Sequence, residues 1–169
     1  MRPFDSYPAA FYGLPKIYKI LALVEQNDHF TIEADTEVPL RPINSVIGPP
    51  TYEISKYLAR ILKYLYNDVY TVRNSKGFAS FIFNQNIEPN ERIVSFDVTS
   101  LFTSIPVDLA LQIVKQELNN TTIWTQHTGL SADHIYVLLK FVLNNSYFMY
   151  EDCHYYQIFG CPKGSPVGA

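Results

Sequence analysis

Between Thr51 and Leu65 apolar side chains recur at Ile54, Tyr57, Leu58, Ile61, Leu62 and Leu65, the spacing of one helix face. Lys56, Arg60 and Lys63 fall on the other face, and Thr51, behind Pro49 and Pro50, reads as the N-cap. A second helix is expected from Pro106 through Leu118, with Val107, Ala110, Leu111, Val114 and Leu118 facing inward. A third is expected from Ser131 to about Asn144, and a short one over Ser75 to Phe83. Asp68 to Val72 reads as a short extended piece. At Arg92 to Val98 the period changes: the run is apolar on both faces, which predicts a strand central in its sheet. Two aromatic runs, Tyr147 to Tyr150 and His154 to Phe159, flank Glu151-Asp152 and predict a hairpin. In the first third, Pro15, Pro39, Pro42, Pro49 and Pro50 favour short extended pieces over helices. Strand, helix, helix, hairpin and glycine turn in that order make an α+β chain rather than a doubly wound one.

Charge changes the picture only once its distribution is considered. The net −3 is unusual for a chain that handles nucleic acid, but residues 20–38 alone carry −5 through Glu25, Asp28, Glu33, Asp35 and Glu37. Removing that segment's −5 leaves +2 for the remainder. Residues 39–80 carry +4, with Arg41, Lys56, Arg60, Lys63, Arg73 and Lys76 against Glu53 and Asp68. This stretch reads either as a surface for nucleic-acid phosphates or as an ordinary solvated face. At 169 residues and 47% hydrophobic content, one domain with a sizeable core is expected. Two cysteines exclude a disulfide scaffold. With no apolar run long enough to span a bilayer and no secretion-type start, a protein inside the cell, in nucleus or cytoplasm, is expected.

Four segments carry residues suited to chemistry: Phe11-Tyr12-Gly13-Leu14-Pro15-Lys16-Ile17-Tyr18-Lys19, Pro39-Leu40-Arg41-Pro42-Ile43-Asn44-Ser45-Val46-Ile47-Gly48, Ile93-Val94-Ser95-Phe96-Asp97-Val98-Thr99-Ser100-Leu101-Phe102 and Phe159-Gly160-Cys161-Pro162-Lys163-Gly164-Ser165-Pro166. In this order, with the 51–65 helix between the second and third, they resemble the reverse transcriptases of Penelope-like retroelements over residues 11–19 and 39–169. The resemblance implies part of a right-hand polymerase. Residues 1–80 would be a fingers-like region with an acidic insert at 20–38, and residues 81–169 a partial palm that stops before the Tyr-x-Asp-Asp turn. It implies that the intact enzyme adds dNTPs to a DNA primer on an RNA template by two-metal phosphoryl transfer with Mg2+, usually with a GIY-YIG endonuclease further along.

Under that resemblance Asp97 bridges the metals and the Val98 carbonyl adds an oxygen; read alone, Asp97 caps a strand-to-helix turn. Phe102 takes the position of a ring under the nucleotide sugar that excludes a 2′-hydroxyl; read alone it is a core aromatic. Arg41 resembles the fingers arginine that clamps the triphosphate, with Lys16 as its partner on the preceding strand, although the insert parts two strands that the family joins by a short turn. Gly164 would let the main chain approach the base pair, and Lys163 stands where the family has methionine or glutamine. That lysine either adds a phosphate or template contact or marks a decayed site. Lys56, Arg60, Lys63, Arg73 and Lys76 would meet the nucleic-acid backbone.

Two other patterns point elsewhere. Tyr150-Glu151-Asp152-Cys153 resembles a Tyr-x-Asp-Asp turn but precedes the glycine turn and lacks the second adjacent aspartate. Cys153, His154 and Cys161 lack paired zinc-ligand spacing and a fourth ligand. One carboxylate cannot hold two divalent cations, so the chain by itself is expected to be inactive as a polymerase. The alternatives are a non-catalytic remnant that binds nucleic acid or protein through its basic stretch and exposed aromatics, and a translated fragment without function.

Overall fold

Helix formation follows the apolar periodicity. In the computed structural model, which describes residues 8–17, 38–45, 48, 50–65, 71–72 and 74–168, Thr51–Leu62 forms α1 and runs on into a 3-10 turn at Lys63–Leu65. Ser75–Phe83 forms α2, Leu101–Ser104 the single turn α3, Val107–Asn120 α4 and Ala132–Leu143 α5. Local chemistry sets the ends. Asn74 caps α2 by accepting from Gly77 N at 2.7 Å, and Ser131 caps α5 in a reciprocal box with His134. The start of α1 corrects the expectation for Thr51. The cap residue is Pro50, whose φ of −58° is already helical, so the helix begins one residue earlier and no side chain caps it.

The core lies among the helices. Leu58 and Ile61 of α1, Leu111 and Leu118 of α4, and Ile135, Leu139 and Val142 of α5 are buried together with Trp124. Each contributes about 1.5–3 kcal/mol by leaving water. Trp124 also donates from Nε1 to the carbonyls of Leu118 (3.0 Å) and Thr121 (2.7 Å), which fixes the chain beyond α4. Tyr57 and Thr128 share a hydroxyl hydrogen bond of 2.6 Å across the helical layer.

Four strands make one mixed sheet. Strands β1 (Ala9–Pro15), β2 (Leu40–Ser45), β3 (Tyr147–Tyr150) and β4 (Cys153–Tyr156) lie in the order β2-β1-β3-β4. β1 runs antiparallel to β2 and parallel to β3, and β3 runs antiparallel to β4. Rings bind its middle: Phe11 stacks on Phe148 at 4.9 Å, and Phe148 on Tyr155 at 5.6 Å. The fold is α+β, and strands from the first and last thirds of the chain share the sheet.

The expected strand at Arg92 to Val98 does not form. Residues 91–98 have no regular structure and are exposed, with Phe96 at 90% and Val94 at 67% of full accessibility. A strand is stabilised by its neighbours, and a run apolar on both faces needs a ladder on each edge and cover on each face; the described residues supply neither. The second hairpin strand starts at Cys153 and ends at Tyr156, displaced from the His154 to Phe159 expected; Gln157 N still donates to Ser146 O at 3.1 Å in the same register, and the residues beyond it leave the sheet. Thr71 and Val72 have no regular structure, and the rest of the Asp68 to Val72 piece lies outside the described residues, as do residues 20–37 of the acidic insert.

Candidate functional site

The site is assembled by backbone contacts from the glycine turn. After Asp97 the chain turns at Thr99-Ser100, where Ser100 takes a left-handed φ of 55°, and enters α3. The new turn is tied by Ser104 N and Thr103 Oγ1, both donating to Ser100 O at 3.1 and 3.0 Å. Cys161 N then donates to Phe102 O at 2.7 Å. Gly160, at φ 77°, passes so close that a Cβ there would stand 2.7 Å from the Thr103 Cα. Three residues on, Asn44 N donates to Lys163 O at 3.0 Å, and Gly164, at φ 117°, lies against β2, where a Cβ would stand 2.7 Å from the Asn44 carbonyl oxygen. The turn therefore clasps α3 on one side and β2 on the other. β1 is carried along by its pairing with β2, with Leu14 opposite Arg41 and Lys16 N donating to Pro39 O at 2.9 Å.

These contacts border a half-open cavity of about 390 Å³ lined by Lys16, Arg41, Asp97, Val98, Phe102 and Lys163, with Leu40, Pro42, Thr99, Ser100, Leu101 and Thr103 between them. Six residues singled out from sequence, drawn from four separate segments, thus share one space. The insert at 20–38 does not prevent the β1–β2 pairing that brings Lys16 and Arg41 together. Three cationic side chains face one carboxylate there, a balance that favours an anion carrying several charges. Phe102 is half-buried, and Lys163 Nζ lies 5.4 Å from its ring centroid, a cation–π distance that holds the ammonium over the ring.

The other expected residues lie elsewhere. Gly164 supports the cavity from behind through β2 and does not line it. Lys56, Arg60 and Lys63 stand exposed along one side of α1, and Arg60 and Lys63 lie 5.8 and 4.9 Å from the ring centroids of Tyr57 and Tyr64. Lys76 is exposed on α2; none of these four lines the cavity, and Arg73 lies outside the described residues. Glu151 and Asp152 form the exposed hairpin turn. Cys153 is exposed, whereas burial pushes the Cys161 thiol up to about 11.

A pair of Mg2+ ions does not fit the described residues. Asp97 is the one carboxylate lining the cavity, and among the described residues no three His, Cys, Asp or Glu side chains gather where a metal ion could be held. Thr99, Ser100 and Thr103 were not singled out from sequence, although polar residues beside Asp97 and Phe102 were the available signal. No family model, curated protein or solved structure matches the chain.

Proposed function

We propose that this chain is the fingers and partial palm of a Penelope-like RNA-directed DNA polymerase, and that its cationic cavity binds a deoxynucleoside triphosphate. The observation that carries the reading is the convergence of Lys16, Arg41, Asp97, Phe102 and Lys163 on one cavity from segments far apart in the sequence. Arg41 presents a planar fork matched to phosphate oxygens, and Lys16 and Lys163 add point charges around it. Phe102, on the same wall, sets the volume left for the sugar. RNA template and DNA primer are the partners this reading requires, and the exposed Lys56, Arg60 and Lys63 face of α1 is the surface that would track a backbone. The described residues give the cavity a single carboxylate, fewer hard ligands than two-metal phosphoryl transfer requires.

Equilibrium binding of a fluorescent dNTP in Mg2+ tests the reading. Arg41→Ala and Lys163→Ala are each expected to weaken binding about tenfold, the loss typical of a charge-assisted contact. Unlabelled dNTP is expected to compete better than the matching rNTP, and Phe102→Ala to remove that difference. Absence of triphosphate binding, or binding indifferent to both cation substitutions, would overturn the proposal.

A further inference from the structure

Lys56, Arg60 and Lys63 stand at i, i+4 and i+7 on the exposed side of α1, a line of cations about 10 Å long. Among the described residues none of the three has a carboxylate within ion-pair distance, although Glu53 lies a turn before Lys56 and the chain holds more acidic than basic side chains. Two of them lie against rings instead: Arg60 is 5.8 Å from the centroid of Tyr57, and Lys63 is 4.9 Å from that of Tyr64. A neutral ring holds a cation in place without cancelling its charge.

A segment distant in sequence gives this line an aromatic flank. The 3-10 turn Ile123–His127 lays the His127 ring on Tyr64, centroids 3.7 Å apart and planes 1° from parallel. Thr128 then shares its 2.6 Å hydroxyl hydrogen bond with Tyr57, so the flank is tied to α1 at two points. His127 is exposed, and no second ring among the described residues lies against it. An uncompensated row of cations beside an open flat ring suits a polyanion that carries flat groups of its own. An anionic lipid surface supplies the charge without the flat groups, and a duplex keeps its bases stacked on one another.

We infer that this face of α1 and the 123–128 segment bind a single-stranded nucleic acid, its phosphates along Lys56, Arg60 and Lys63 and one base on the open face of His127. The surface gives the template of the polymerase reading its place and rests on that reading for the strand's role alone, since none of these residues lines the cationic cavity.

Fluorescence anisotropy of the 169-residue chain with a labelled single-stranded DNA oligomer, compared with an abasic oligomer of the same length, tests it. The native chain is expected to bind the base-bearing strand about fivefold more tightly, the lower end of what one stacked base contributes. His127→Ala is expected to erase that preference, and His127→Phe, which keeps a ring on Tyr64, to retain it. Replacing Lys56, Arg60 and Lys63 together by Gln is expected to lower the slope of log affinity against log salt by about 2 in magnitude, the counterion release of three contacts on a single strand. An RNA oligomer that binds more tightly than the DNA supports the surface and assigns the strand to RNA; the reverse order supports it and assigns DNA. Equal binding of the base-bearing and abasic oligomers by the native chain, which needs no variant to fold, overturns the inference, as does a salt slope unchanged in the triple variant. Binding of dNTP by the same chain reports the earlier proposal separately: its loss strikes the cationic cavity and leaves this surface, and loss of oligomer binding does the opposite.

Discussion

Cys161 shows how the glycine turn makes single residues sensitive to their surroundings. Its amide holds Phe102 O, its side chain is buried, and its thiol is pushed from 9.0 to about 11 because burial disfavours the thiolate. The thiol is neutral when protonated, so between pH 9.0 and about 11 the folded chain keeps a proton that the unfolded chain has lost. Stability is then fully present below the lower value and falls as pH rises through the window, by about 2–3 kcal/mol at most. Denaturant melts from neutral pH upward are expected to show a steeper alkaline loss for the native chain than for Cys161→Ala. Parallel curves for the two proteins would show that the thiol is not held in its neutral form. Gly160 and Gly164 flank this residue under a different constraint: their positive φ and the backbone atoms beside them leave no space for a Cβ. Their glycine identity is explained by the meeting of α3 with β2, before any base pair is considered.

At the scale of elements, two apolar runs of similar composition end differently. The α1 run buries Leu58 completely in the core it shares with α4 and α5, whereas the 91–98 run exposes Ile93, Val94, Phe96 and Val98. Leu58→Ala is therefore expected to cost about 2–5 kcal/mol, and Phe96→Ala less than about 0.5 kcal/mol. Urea unfolding of the two variants decides it; a loss above 2 kcal/mol for Phe96→Ala would mean the segment is packed as a strand after all. The contrast also explains which elements were legible in the sequence. Periodicity within Thr51–Leu62, Val107–Asn120 and Ala132–Leu143 is a local signal, and those helices formed where it placed them. A strand is defined by partners distant in sequence, so the pattern of Arg92 to Val98 records a capacity to be sandwiched without supplying what sandwiches it. The α1 start was misplaced by one residue because proline geometry overrode the usual cap preference.

For the whole molecule, the candidate site was more legible than the irregular segment that leads into it. Lys16, Arg41, Asp97, Val98, Phe102 and Lys163 were marked by motif order, and the β1–β2 pairing together with the glycine turn bring them to one cavity. What convergence alone does not provide is a metal centre. Two-metal catalysis needs enough hard oxygen ligands to compete with the hydration of two Mg2+ ions, and among the described residues the cavity has the Asp97 carboxylate alone. The 169-residue chain is accordingly expected to bind dNTP without extending a labelled DNA primer on an RNA template, whatever the Mg2+ concentration. Gel analysis of the primer checks this directly. Product that forms with the native chain and vanishes in Asp97→Asn would show that residues outside the described set bring further carboxylates to Asp97, and binding would then not be separate from catalysis in this chain.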